Sequence, residues 1–246
     1  MADPILSLLG GESIFTDKQM LLVFFFYGLG FLILAAVTFL KKAKIVDVDL
    51  TRSFYFLGAF GLTHGITEWI DLGRLWMKIS SGTQILLLDG LKIFFLTVSF
   101  IFLMQFGINI LTLRREKYVQ LRWIPLLAII IFFITTIVTG TFMTSELIAR
   151  YAFGFTGSLI TTIAFLEIRK IARAGRLGPL VKGSTSMAIA FGVYTVFGGL
   201  ITGVIAGIPP QVVRMLCALL AAYASFSLLT VLETGLGKVA ARKARG

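Results

Sequence analysis

The stretch GLTHGITEWIDL, residues 61–72, holds the chain's only histidine. His64, Glu68 and Asp71 recur at i, i+4 and i+7, so a helix carries an imidazole and two carboxylates on one face. That set could ligate a metal, exchange protons or form ion pairs. One histidine without a nearby cysteine is a poor transition-metal set. No metal is expected, and the imidazole is expected to hydrogen-bond to Glu68. The flanking residues are apolar enough to cross a bilayer, where a central charged side chain costs roughly 2.5 to 3.5 kcal/mol on insertion scales.

Other apolar runs carry similar groups. Asp89 and Lys92 sit one turn apart in the next run, Glu146 and Arg150 open a later one, and Gln211 and Arg214 open the last. If successive runs alternate in direction, these residues share one half of the bilayer. Glu68, Asp71 and Asp89 then face Lys92, Arg150 and Arg214. Two readings follow. One is a pocket for a ligand or ion, with His64, Glu68, Asp71, Asp89, Lys92, Arg150, Gln211 and Arg214 as candidates. The other is an ion-paired network that fixes helix register and binds nothing.

The elements that must position these groups are membrane helices. The chain is 57% hydrophobic and 14% charged, and its mean hydropathy is +0.94. A soluble domain of 246 residues has no interior large enough to hide that surface. About 20 apolar residues span a bilayer as a helix. Seven segments meet or approach that length: 20–40, 54–76, 85–111, 123–143, 147–168, 186–207 and 211–233. The expected fold is an all-α membrane protein, a single seven-transmembrane helix bundle over residues 1–246. The acidic start before the first run does not suit a signal peptide, so that helix is expected to be retained.

Charge orients the bundle. Most of the 23 basic residues fall in alternate loops. Lys41, Lys42, Lys44 and Arg52 lie in 41–52, and Arg114, Arg115, Lys117 and Arg122 in 112–122. Arg169, Lys170, Arg173, Arg176 and Lys182 lie in 169–183, and Lys238, Arg242, Lys243 and Arg245 in the tail. Basic loops stay cytoplasmic, so the N-terminus is expected outside and the C-terminus in the cytoplasm. The net charge of +11 is then accounted for by topology and anionic membrane lipids, without nucleic acid. Small-residue ridges at Gly61 and Gly65, at Gly154, Gly157 and Ser158, and at Gly199, Gly203 and Gly207 suit close helix packing, within the chain or in a homodimer. Cys217, the single cysteine, excludes an intrachain disulfide and reads as a small apolar residue.

Several activities lack their residues. A bis-histidine haem needs two histidines. A retinal Schiff base needs a lysine in the last helix, and 212–233 has none. Gly65 follows His64, so there is no HExxH metalloprotease motif. No enzyme is expected. Seven spans can also divide as three plus one plus three, a transporter arrangement, although no internal repeat is convincing. Pro209-Pro210 suits the first turn of the last helix.

Three segments together carry a resemblance: FGLTHGITEWIDL, ARYAFGFTGSLITTIAFL and AGIPPQVVRMLCALLAAYASFSLLTVLE. In that order they resemble the multi-span N-terminal sensor regions of bacterial membrane histidine kinases and related signalling proteins. The resemblance rests on His64, Gly65, Glu68 and Trp69, on Arg150, Tyr151, Gly154 and Gly157, and on Gly207, Ile208, Pro209, Gln211 and Arg214. It implies a membrane input module in a bacterial inner membrane. Such a module senses something at the outer leaflet and passes a helix shift inward to a protein partner. GLGKVAARKARG, after the last span, has no kinase segment, so direct kinase activity is not expected. No cofactor is expected, although a pocket of this kind would admit a quinone or a lipid. A membrane anchor subunit of a larger, quinone-binding complex is the second expectation, and a small proton-coupled transporter the third.

Overall fold

The computed structural model describes residues 12–42, 48–83, 85–113, 116–139 and 142–243. The expected acidic start through Gly11, and the basic residues Lys44, Arg114, Arg115 and Arg245, lie outside them. Helices α1 (Asp17–Lys42), α2 (Val48–Ser81) and α3 (Leu86–Thr112) come first. A 3₁₀ segment (Glu116–Trp123) leads into α4 (Ile124–Thr139). Next, α5 (Phe142–Ile148) passes through a π-helical segment (Ala149–Gly154) into α6 (Phe155–Ala174). Helix α7 (Gly178–Tyr194) runs into a second π segment (Thr195–Leu200), and α8 (Pro210–Lys243) closes the fold. Among the described residues the only β pairing is an isolated bridge, Ile205 with Ile208.

Six helical rods have the length and apolarity to cross a membrane: Asp17–Lys41, Leu86–Thr112, Gln120–Val138, Ser145–Ala174, Gly178–Leu200 and Pro210–Leu232. Helix α2 is longer than any of the six apart from the full α8, at 34 residues. It is not among the six, and it carries the opening motif.

The helices close a ring. α1 packs on α2, α2 on α3, α3 on α6, α6 on α7, α7 on α8, and α8 back on α1. Helix α4 touches α3 and the 3₁₀ segment and stands outside the ring. Only 17% of its apolar span is buried, and Ile131, Ile134, Ile137 and Val138 face outward. Small residues set the closest crossings. A Cβ on Gly61 would lie 2.8 Å from the Phe31 carbonyl oxygen, and one on Gly65 3.0 Å from that of Gly28. One on Gly157 would lie 3.1 Å from the Phe100 carbonyl oxygen. Side-chain hydroxyls are satisfied within the helices, as with Thr38 to Leu34, Thr97 to Ile93 and Ser184 to Leu180. They therefore cost little in an apolar interior. Cys217 is buried in this core.

Two sequence boundaries change. The 169–183 segment is mostly helix: α6 continues to Ala174 and α7 begins at Gly178, leaving a three-residue turn. Pro179 lies in the first turn of α7, where its missing N–H costs nothing. Ser184 and Thr185 return their hydroxyls to carbonyls one turn back, which hides the polarity that resembles a loop. The sixth span accordingly ends at Leu200 rather than at residue 207. Residues 201–209 form a turn, with positive φ at Ala206 (49°) and Gly207 (77°) and Pro209 following. Proline disfavours helix in the residue before it. The expected ridge of Gly199, Gly203 and Gly207 therefore does not exist on a helix. Gly199 packs against backbone, where a Cβ would lie 2.6 Å from Phe155 Cα, and Gly207 in the turn packs against the Ile14 side chain.

Candidate polar site on the ring axis

Five ring helices and the π segment before α6 send a polar side chain toward one buried cluster: Tyr27 from α1, His64 and Glu68 from α2, and Ser99 and Lys92 from α3. Arg150 comes from the π segment before α6, Tyr194 from α7 and Arg214 from α8. Each is 7% exposed or less. The helical face expected for His64, Glu68 and Asp71 is buried throughout, at 0%, 2% and 9% exposure.

At the centre, His64 is held on both ring nitrogens. Nδ1 lies 2.8 Å from Ser99 Oγ, and Nε2 lies 2.7 Å from Tyr194 Oη. Tyr27 Oη is 3.2 Å from Tyr194 Oη. Ser99 has one hydroxyl proton, and it donates that proton to the Leu96 carbonyl at 2.6 Å. Its oxygen therefore accepts from His64, and Nδ1 carries the imidazole proton. In a neutral ring Nε2 is then an acceptor, and the Tyr194 hydroxyl donates to it. Phe31, Phe60 and Phe100 surround the ring, with centroids 4.6, 5.2 and 5.3 Å away.

This tautomer corrects the expected hydrogen bond from His64 to Glu68. Nε2 and Glu68 Oε1 are 3.4 Å apart, but a nitrogen without a proton has nothing to donate. Glu68 Oε1 is buried and receives no hydrogen bond.

The second part is a chain of ion pairs of alternating sign. Asp89 pairs with Arg74 at 2.5 Å, and Arg74 with Asp71 at 2.7 Å. Asp71 pairs with Lys92 at 3.1 Å, Lys92 with Glu146 at 2.9 Å, and Glu146 with Arg150 at 3.1 Å. Its exposed members are Asp89, Arg74 and Glu146, at 31%, 36% and 30% of the side chain, while Asp71, Lys92 and Arg150 are buried. At the exposed end a cleft of about 230 Å³ is lined by Asp71, Arg74, Lys78 and Asp89 over Phe24 and Leu88. Arg150 ends the chain with Nε and Nη2 on Glu146, while its buried Nη1 has no partner.

The expected pairing of Glu68, Asp71 and Asp89 with Lys92, Arg150 and Arg214 holds only for Asp71 with Lys92. Asp89 goes to Arg74, and Arg150 to Glu146, four residues before it on the same helical rod. Arg214 meets no carboxylate among the described residues. Its guanidinium donates to the backbone carbonyls of Phe197 and, at 2.7 Å, Ile201. The reason is local: the helix stops at Leu200, its last carbonyls lose their intrahelical donors, and Arg214 supplies replacements. Gln211 is half-buried in the first turn of α8 and joins neither network.

Tyr27, Ser99, Tyr194, Arg74 and Glu146 complete the site and are absent from the sequence candidates. A signal existed for the tyrosines. Each is a lone phenol in an apolar run, and a buried tyrosine hydroxyl requires a partner.

The two π segments lie against each other and frame this site. One presents Arg150, and the other supplies the Phe197 carbonyl bound by Arg214. Such bulges concentrate at functional sites. No family model matches the sequence, and no curated protein or solved structure matches the chain.

Proposed function

We propose that this chain is a non-enzymatic, multi-pass membrane input module of a bacterial inner membrane. It has seven spans, with α2 as the charged one, an outside N-terminus and a cytoplasmic C-terminus. Its axial polar site takes a small ligand from the outer side and signals through a protein partner. One observation carries the reading. Five ring helices and the π segment before α6 converge on a buried cluster that the Asp71–Lys92 ion pair joins to a surface cleft, and the cluster keeps a carboxylate oxygen and a guanidinium nitrogen without a hydrogen-bond partner among the described residues. A network that only fixed register would gain by satisfying both, because each orphan costs more than an ordinary hydrogen bond returns. A site shared by this many elements of the ring is also placed to convert occupancy into helix displacement. The resemblance to sensor regions of membrane histidine kinases points the same way.

The test combines co-purification from native membranes with two variants. A signalling protein retained by the wild-type chain, and lost or altered in output with His64→Ala or Arg150→Ala despite normal insertion, is the expected result. Wild-type behaviour of both variants would reject the reading.

The ring supports a second reading. It is built from two groups of three, α1 to α3 and α5/α6 to α8, with α4 outside, which suits a small transporter of three plus one plus three spans. Flux into proteoliposomes driven by a proton gradient would select it. The outward apolar face of α4 would equally suit an anchor subunit of a larger complex, with redox subunits or quinone among the co-purified material.

A further inference from the structure

The cleft at the mouth of the ion-pair chain lies where α2 turns into α3. Gly82, at φ 65°, makes the turn, and its N–H returns to the Lys78 carbonyl at 3.2 Å. Ser81 Oγ and Thr83 Oγ1 meet at 2.6 Å across the same turn. Four charged residues line the recess: Asp71, Arg74, Lys78 and Asp89. Three of them are committed. Arg74 bridges Asp71 and Asp89, and Lys92 takes the other oxygen of Asp71. Two carboxylates thus balance two cations. Lys78 is exposed, makes no ion pair among the described residues, and is the charge left over.

The rest of the lining is mainly apolar, with Phe24 from α1, Leu75 from α2, and Ile85 and Leu88 at the start of α3. The residues beside it are apolar and exposed as well: Trp76 (60%), Ile79 (39%), Leu86 (73%) and Leu87 (68%). Water disfavours such a collar. A tryptophan, and a lysine whose stem lies along apolar surface, suit the headgroup level of a bilayer. Lys78 is also seven residues beyond Asp71 and fourteen beyond His64, so it continues the face of α2 that carries the buried site.

We propose that this cleft holds the headgroup of an anionic membrane lipid, with its negative group on Lys78 and its first carbons over Phe24 and Leu88. A cation would meet Lys78 with like charge, and a zwitterionic head brings no net charge to offset it. Pockets that enclose a whole drug-sized ligand run to about 300–1,000 Å³. At about 230 Å³ this cleft suits a headgroup whose chains stay in the bilayer. An occupant there bears on the same helical rod as His64 and Glu68. The assignment rests on the reading of the polar cluster as a ligand site reached from this end, and it names the chemistry of the ligand.

The experiment is native mass spectrometry of the full chain released from nanodiscs of mixed phosphatidylglycerol and phosphatidylcholine. The parent protein and Lys78→Arg should retain phosphatidylglycerol in preference to phosphatidylcholine. Lys78→Gln should lower that preference about fivefold, the effect of one basic residue at an anionic surface. Lys18→Gln removes an exposed charge at the start of α1, outside the lining, and should leave the preference unchanged. Equal preference in the parent and Lys78→Gln, or an equal drop with Lys18→Gln, overturns the assignment. Retention is read without any protein partner. If Lys78→Gln loses the lipid and both His64→Ala and Arg150→Ala leave signalling intact, the input-module reading fails and this one stands. If the parent shows no preference while those variants abolish signalling, the reverse holds.

Discussion

Tyr194 and His64 are 130 residues apart in sequence, and their side chains meet at 2.7 Å on the ring axis. This contact, with the Ser99 contact on the opposite side of the imidazole, decides which nitrogen holds the proton. It thereby decides that Glu68 receives nothing from its nearest polar neighbour.

The chain has one histidine, so nitrogen NMR of histidine-labelled protein reads His64 alone. The expected spectrum shows a protonated Nδ1 and an unprotonated Nε2. Ser99→Ala removes the acceptor for Nδ1 and should move the proton toward Nε2, where Glu68 can accept it. An Nε2-protonated ring in the unmodified protein would contradict the assignment.

Tyr194→Phe keeps the packing and deletes the donor to Nε2. Tyr27 Oη, 3.4 Å from Nε2, is a second donor within reach, so the loss should lie at the low end of the about 1–3 kcal/mol of an unsatisfied buried acceptor. Thermal unfolding in detergent should fall correspondingly, and the Nε2 resonance should shift while that of Nδ1 stays.

Lys92→Met removes the cation between Asp71 and Glu146. Breaking a buried pair costs about 3–5 kcal/mol, and the partial exposure of Glu146 (30% of its side chain) favours the lower end. Asp71→Asn in the same chain should recover part of the loss. A Lys92→Met protein as stable as the parent would show that the ion-pair chain contributes nothing to the fold.

Gly61 and Gly73 lie on the same helix and should respond oppositely to alanine. A Cβ on Gly61 meets backbone of α1, at Phe31 O (2.8 Å) and Ala35 N (3.0 Å), whereas one on Gly73 meets nothing within 4 Å. Gly61→Ala should destabilise by about 1–3 kcal/mol through overpacking. Gly73→Ala should be neutral or stabilise by up to about 1 kcal/mol through helix propensity. Paired melting curves would check both.

Arg214→Lys keeps the charge and loses the planar fork that reaches two carbonyls. Amide exchange within residues 195–209 should quicken, with exchange in α2 unchanged. Equal exchange in both proteins would mean that the turn holds itself without Arg214.

Part of this architecture was legible in the residues alone. The spacing of His64, Glu68 and Asp71 defines one face because helix geometry is local and has a fixed period. Apolar runs mark seven segments for the same reason, of which six form helices long and apolar enough to cross a membrane and α2 is not among them. The sequence could not choose partners. Asp89 had three bases in view and took Arg74. Arg214 went to carbonyls that become free only where α7's rod unwinds after Leu200, and Tyr27 and Tyr194 look like ordinary members of aromatic runs. Those outcomes depend on which helices become neighbours in the ring, where the two π segments rotate Arg150 and the Phe197 carbonyl, and how closely the glycines let backbones approach. Hydrogen-bond partners across helices are a property of that packing, whereas periodicity along one helix belongs to the chain itself.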